Sequence, residues 1–182
     1  MKKLLIVVDM LNDFCSAKGV LATSPITNEV YAKPIISPIK NLVKQFRQTE
    51  SFIVWLADAH DENDKEFERF PRHAVKDTWG SKIINELGPD QIGNFGIEKL
   101  LEKTRYSGFY GTKLEVLLRY AKPDEVTVVG VCTSICVTDT VGGLANRDYN
   151  IVVPKNCVAD FDPESHKNAL ARMEALYGAK IV

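Results

Sequence analysis

What this sequence lacks narrows it before anything it contains. No apolar stretch approaches the ~20 residues that a membrane-crossing helix needs. Met1–Val8 carries Lys2, Lys3 and a short apolar run, but Asp9 interrupts it well short of a signal-peptide core. No block of basic residues appears, and a net charge of −1 gives no general pull toward nucleic acid or an anionic membrane. Cysteine is scarce. Cys15, Cys132, Cys136 and Cys157 include no C-x-x-C pair and are spaced neither as a disulfide framework nor as a zinc finger. There is no internal repeat, low-complexity tract or interdomain linker. These absences lead to the expectation of a cytoplasmic protein with reduced thiols, folded as one domain over residues 1–182. With 45% hydrophobic and 26% charged residues the chain has the composition of an ordinary globular protein and can bury a proper core.

The patterning is that of an α/β protein. Leu4–Val8 and Phe52–Ala57 are continuous apolar runs, as strands buried on both faces require, and Val126, Val128 and Val129 form a similar run around Thr127. Ile97–Glu102, Tyr149–Val153 and Ala179–Val182 are further strand candidates. Between them lie amphipathic segments. Ser37-Pro38 reads as N-cap and first helical position ahead of Ile39, Leu42, Val43 and Phe46. Ser81–Leu87 reads as a short helix stopped by Gly88. Thr112 would cap a helix with Leu114, Leu117, Leu118 and Ala121 on one face. Val137, Val141 and Leu144 form another stripe. Asp162-Pro163 begins a last helix with Leu170, Met173 and Leu176 or Tyr177 inward, ended by Gly178. Alternation of this kind implies a parallel sheet of about six strands with helices on both faces, joined by right-handed crossovers. Ligands then bind beyond the strands' carboxyl ends.

Chemistry-bearing residues fall at those ends. Asp9 follows the first strand, Asp58 the second and Lys103 the third. The fourth leads into Gly130-Val131-Cys132-Thr133-Ser134-Ile135-Cys136. A cysteine at a helix start sits among free N–H groups and the positive end of the helix dipole, which favours a thiolate. Each feature has a plainer reading: a small buried thiol, a turn-capping aspartate, a solvated lysine. Residues 58–80 are too polar and irregular for a core element, and long loops in compact domains usually serve function. Here Asp58 and His60, two apart in an extended segment, point the same way. His73 and Glu66 come from the same loop. Two histidines with carboxylates suit Zn²⁺, Fe²⁺ or Mn²⁺. A solvated polar loop is the alternative.

Taken in order, Asp9…Asn12-Asp13-Phe14, Asp58-Ala-His60…Phe70-Pro-Arg-His73, Lys103…Tyr106-Ser107-Gly108-Phe109 and Gly130–Cys136 resemble the isochorismatase-like cysteine hydrolases, and within them the nicotinamidases, over Leu4 to Val182. The resemblance implies a catalytic Asp9, Lys103 and Cys136, and one divalent metal ion, zinc first, with iron(II) or manganese(II) as alternatives. The implied ligands are Asp58, His60, His73 and Glu66, with Glu68 the competing choice for the acidic one. It also implies a cis peptide before Cys132, an oxyanion hole from the backbone N–H groups of Cys132 and Cys136, and Phe14, Phe70 and Tyr106 around an aromatic ring.

The implied reaction converts nicotinamide, or a related aromatic amide, to its acid and ammonia through a thioester on Cys136, a step of NAD salvage. The metal would anchor the pyridine nitrogen while Asp9 moves the protons. Cys132 departs from the usually apolar family residue and introduces a second thiol that could pair with Cys136 on oxidation. Competing readings are an isochorismatase, an N-carbamoyl or ureido amidase, and a non-catalytic metal- or ligand-binding protein on the same scaffold. The implied partner is a small molecule, with neither nucleic acid nor membrane; relatives of this kind often form homo-oligomers.

Overall fold

The computed structural model describes residues 1–88, 92 and 96–182. Its centre is a parallel sheet of seven strands: β1 Lys3–Val8, β2 Phe52–Asp58, β3 Glu98–Lys103, β4 Glu125–Val131, β5 Ile151–Val153, β6 Val158–Ala159 and β7 Lys180–Ile181. The order is β3-β2-β1-β4-β5-β7, with β6 pairing β4 above β5. The chain moves outward from β1 through β2 to β3, then returns to lay β4 on the other flank of β1. The β1/β4 junction is therefore the topological switch point, where the carboxyl ends of an open α/β sheet leave a crevice.

The apolar runs divide their side chains between two cores. Leu5 and Val7 face one side with Trp55, Ile39 and Val43, whereas Leu4, Ile6 and Val8 face the other with Leu114, Val141 and Met173. Each fully buried aliphatic side chain contributes about 1.5–3 kcal/mol, so β1, with Leu4–Val8, and β2, with Ile53–Leu56, are strongly driven parts of the sheet. Helix α2 (Lys33–Gln48) covers the first face. Helices α3 (Leu114–Ala121), α4 (Thr138–Ala145) and α5 (Pro163–Tyr177) cover the second. A four-residue turn of helix, α1 (Asn12–Cys15), follows β1. No helix among the described residues is long and apolar enough to cross a membrane.

Several local expectations shift. Helix α2 starts a turn earlier than Ser37-Pro38 suggests; Pro34 takes the N-terminal place and Pro38 lies inside. The extra turn buries Ile35 on the stripe of Ile39, Val43 and Phe46, and that burial offsets the donor that Pro38 lacks. Of Ser81–Leu87 only Asn85–Leu87 is helical, a single 3₁₀ turn ended by left-handed Gly88. The preceding residues pair instead with the exit of β1, through the Leu11–Ile83 bridge and the Ile84 N–H to Met10 carbonyl bond of 3.0 Å. Lys113, not Thr112, occupies the cap position of α3, although Thr112 Oγ1 still accepts the Leu114 N–H at 3.1 Å. On α5, Tyr177 packs inward and Leu176 is exposed; Asp162 caps it and Gly178 ends it in the left-handed conformation.

Gly130 is the one glycine that the switch point demands. Its φ is 114°, and a Cβ there would stand 2.0 Å from the Val8 carbonyl oxygen, inside the contact between β4 and β1.

Candidate active site

Four strand ends converge on one buried cluster. Asp9 leaves β1 with φ 49°, left-handed for a non-glycine residue, which turns its carboxylate back over the sheet. Its Oδ1 accepts the Asp58 N–H at 2.9 Å, which ties the ends of β1 and β2 together. The Lys103 side chain, fully buried at the end of β3, brings its ammonium to 2.8 Å from Asp9 Oδ2, 2.7 Å from Asp58 Oδ1 and 3.4 Å from Cys136 Sγ. The contact with Asp9 Oδ2 is an ion pair without hydrogen-bond alignment, so that oxygen, buried, keeps an acceptor position unfilled.

Cys136 comes from the segment after β4. The Val131–Cys132 peptide is cis, and Thr133–Val137 forms a widened, π-type first turn in which the Ile135 and Val137 N–H groups both reach the Cys132 carbonyl, at 3.1 and 3.2 Å. Turns of this kind recur at functional sites. Two groups from the β6–α5 region hold it from outside. Asp160 Oδ2 accepts the Ser134 N–H at 2.6 Å, and His166 Nδ1 is 2.9 Å from Thr133 Oγ1.

The cluster's electrostatics differ from the simple helix-dipole expectation. Burial pushes the Cys136 thiol well above its ordinary value, and the Lys103 charge only partly opposes this. Cys136 therefore rests as a thiol, because desolvation of the anion outweighs the dipole. Burial, and then the neighbouring Asp58 charge, raise Asp9 to about 6 against the pull of Lys103. For Asp58 burial also acts upward, but the Lys103 charge and the His60 and Lys103 hydrogen bonds hold it below its usual range. Lys103, despite burial, is held charged by Asp58 and Asp9.

A second group of donors adjoins the first through Asp58. Ligand atoms of Asp58, His60 and His73 all lie within 4.8 Å of one another. His60 Nε2 is 3.7 Å from Asp58 Oδ2, and His73 Nε2 is 3.9 Å from Glu66 Oε1. His60 Nε2 and Glu66 Oε2 are buried with no hydrogen-bond partner. His60 Nδ1 lies 3.2 Å from Asp64 Oδ2, and His73 Nδ1 lies 2.7 Å from the Pro71 carbonyl. Both partners can only accept, so both Nδ1 atoms carry a proton, and each ring in its neutral form offers Nε2 as the lone pair. Orphaned buried lone pairs and two carboxylates at this spacing fit a first-row divalent cation bonded at ~2 Å. Glu68 is exposed on the same turn; Glu66 is the acid that faces the group.

Both clusters open on a cavity of about 220 Å³. Asp9, Asp58, Glu66, His73, Cys132 and Cys136 line its polar end, and Phe14, Phe70 and Tyr106 are on its walls. Phe14 and Phe70 stand edge-on to His73, with centroids 5.4 and 6.2 Å away. The volume is below the ~300–1,000 Å³ of drug-sized pockets, so the cavity takes a small molecule. Asp9, Lys103, Cys136, Asp58, His60, Glu66, His73, Phe14, Phe70, Tyr106 and Cys132 are thus brought together, whereas Glu68 is not. Sequence reasoning missed the opposite wall: Leu21, Thr23, Pro25, Tyr31 and Phe161. Ser24 staples that wall, its hydroxyl donating to the Phe161 carbonyl at 2.5 Å, and Tyr31 Oη lies 3.4 Å from Cys132 Sγ. Residues 16–32 have no hydrophobic period that would have drawn attention to them. Asp64 was missed as well, although its position four residues after His60 was a usable signal.

A family model described as the isochorismatase domain matches residues 3–182. Among solved structures, nicotinamidase PncA from Bacillus subtilis is 34% identical, with TM-score 0.91, covering 100% of this chain and 99% of that one. N-carbamoylsarcosine amidase from Thermoplasma acidophilum is also 34% identical, with TM-score 0.84 and coverage of 100% and 95%. The pyrazinamidase of Pyrococcus horikoshii, solved in complex with zinc, is 28% identical, with TM-score 0.86 and coverage of 100% and 99%.

Proposed function

We propose that this chain, which belongs to the isochorismatase family, is a cysteine amidohydrolase that converts nicotinamide to nicotinic acid and ammonia. The observation that carries the reading is the buried Lys103 ammonium in simultaneous contact with Asp9, Asp58 and Cys136, all three of which line a small aromatic-walled cavity. A buried thiol, a carboxylate raised to about 6 with a free acceptor position and a fixed cation supply a nucleophile, a base and charge compensation.

The carboxamide lies over Cys136 with the ring between Phe14, Phe70 and Tyr106. Asp9 Oδ2 takes the thiol proton as Sγ forms its bond to the carbonyl carbon. Lys103 keeps the developing charge on Sγ and Asp9 in balance, and the backbone N–H groups of Cys132 and Cys136 receive the carbonyl oxygen. The C–N bond breaks, Asp9 returns its proton to the departing ammonia and a thioester remains. Water attacks that thioester, losing a proton to Asp9. The acid leaves, and Sγ recovers the proton from Asp9. A divalent ion held by Asp58, His60, Glu66 and His73, zinc being the first choice, would when bound supply a Lewis-acidic anchor for a ring-nitrogen lone pair.

The competing reading is an amidase for N-carbamoyl compounds, favoured by the equal identity to N-carbamoylsarcosine amidase. The free His60 Nε2 and Glu66 Oε2 beside an aromatic wall support a ring substrate with a lone pair instead. Ammonia release measured on nicotinamide and on a panel of ureido compounds, with and without chelator, tests the choice. Chelator-sensitive turnover of nicotinamide is expected, and turnover confined to ureido compounds would refute it.

A further inference from the structure

Asp64 occupies a place that the amidase mechanism does not use. Its side chain is nearly buried at the mouth of the polar loop, and it makes three kinds of contact. Oδ2 accepts from His60 Nδ1 at 3.2 Å, Oδ1 accepts the Glu66 N–H at 2.9 Å, and Arg105 Nη1 stands 3.0 and 2.9 Å from the two oxygens. One carboxylate thus holds the ring of one of the four donor residues that face the candidate metal position and the backbone N–H of another. Arg105, in the segment after β3, pins that carboxylate from the solvent side and also donates to its neighbour's carbonyl, that of Thr104.

We propose that Asp64, fixed by Arg105, is a positioning residue for metal binding: it selects the His60 tautomer whose Nε2 is free and sets the backbone that carries Glu66. The proposal rests on the metal reading of the site. The chemistry is that of a ligating imidazole whose other nitrogen donates to a carboxylate, which fixes the ring and strengthens the ligand. What is particular to this chain is the sharing. His73 receives the same service from a backbone carbonyl, that of Pro71, which no side-chain substitution removes. His60 depends on a side chain, and that side chain also caps the 3₁₀ turn Lys65–Glu68 that carries the acidic donor. Loss of Asp64 therefore disturbs two donors together, one through its tautomer and one through its backbone.

Asp64→Asn separates these roles. The amide oxygen can still accept the Glu66 N–H, but the NH₂ then faces His60 Nδ1 and requires it to accept. The proton moves to Nε2 and blocks the lone pair. Arg105→Ala leaves the tautomer intact and loosens the carboxylate.

The test uses the full-length protein stripped of metal and titrated with Zn²⁺ against a chromophoric chelator. Histidine ¹⁵N spectra of the metal-free protein report the tautomer, and thermal unfolding reports the fold. The wild type is expected to bind one Zn²⁺ and to show Nδ1–H on His60. Asp64→Asn should bind about 10–100-fold more weakly, the range for loss of a carboxylate partner of a ligating histidine, and show Nε2–H. Arg105→Ala should weaken binding less, and it carries the test if Asp64→Asn does not fold. Wild-type zinc binding with equal affinity in the folded variants, or an unchanged His60 tautomer in Asp64→Asn, overturns the role of Asp64 alone. Absence of zinc binding by the wild type overturns the metal site and this inference with it.

Discussion

Replacing Lys103 by Met tests how the floor of the site is held together. The lysine is fully buried and is the cation in contact with both Asp9 and Asp58. Removing one partner of a buried ion pair costs about 3–5 kcal/mol, because the remaining charge keeps its desolvation penalty and loses its compensation. For a chain of this length that corresponds to a fall of roughly 6–20 °C in Tm. The sign of its pH dependence follows from Asp9. Its folded value is about 6 against 3.8 for the free group, so between those values the folded state binds the extra proton and stability falls as pH rises. Without Lys103 the folded value climbs further and the window extends upward. The deficit should thus be smaller at pH 5, where Asp9 neutralises itself and only the Asp58 pairing is lost, and largest near pH 8. Urea unfolding of the metal-free proteins at both pH values measures it. Ammonia release at pH 7 should fall to background, because Asp9 then holds its proton. A deficit below about 1 kcal/mol at pH 8, or one independent of pH, would show that Lys103 does not compensate the buried carboxylates.

Wild-type kcat/KM should decline as pH falls below about 6, where Asp9 becomes protonated and no longer accepts the thiol proton; a flat profile down to pH 4.5 would exclude Asp9 as the base. Cys132→Ala should keep most of the activity, since the reading uses only the backbone of that residue; loss comparable to that of a nucleophile variant would reassign the two thiols. Gly130→Ala should fold poorly or unfold at markedly lower temperature, because its Cβ would stand 2.0 Å from the Val8 carbonyl oxygen; an unchanged Tm would show that β1 and β4 can separate freely. Chelation should abolish turnover of nicotinamide, and added Zn²⁺, Fe²⁺ or Mn²⁺ should restore it; full activity after verified metal removal would contradict the anchoring role.

The parts of the molecule legible in the sequence are those whose physics is local. Leu4–Val8 is apolar without interruption and Val126–Val129 is broken only by Thr127, because both are buried on both faces, and the residues that follow them stand at strand ends for that reason. Asp162-Pro163 and Gly178 bracket α5 through cap chemistry that needs no tertiary information. What escaped depends on distant partners. The two-residue β6 exists only because Gly130 and Val131 present an edge to Val158 and Ala159. The wall over the cavity is set by Ser24 reaching Phe161, 137 positions away, and leaves no periodic trace. Pro38 inside α2 is tolerated by the burial of Ile35, a packing result that cap rules do not contain. The resting protonation of Cys136 escaped for the same reason: the helix start is visible in sequence, but the desolvation that outweighs it is not.

The attack of Cys136 on an amide carbon is the step on which the proposed reaction depends. Its most direct test is ammonia release from nicotinamide by the wild type and by Cys136→Ala, purified in parallel and matched for metal content and unfolding midpoint. Turnover by the wild type and none above background in the variant is the expected result. A folded Cys136→Ala protein that still releases ammonia within tenfold of the wild-type rate would contradict it.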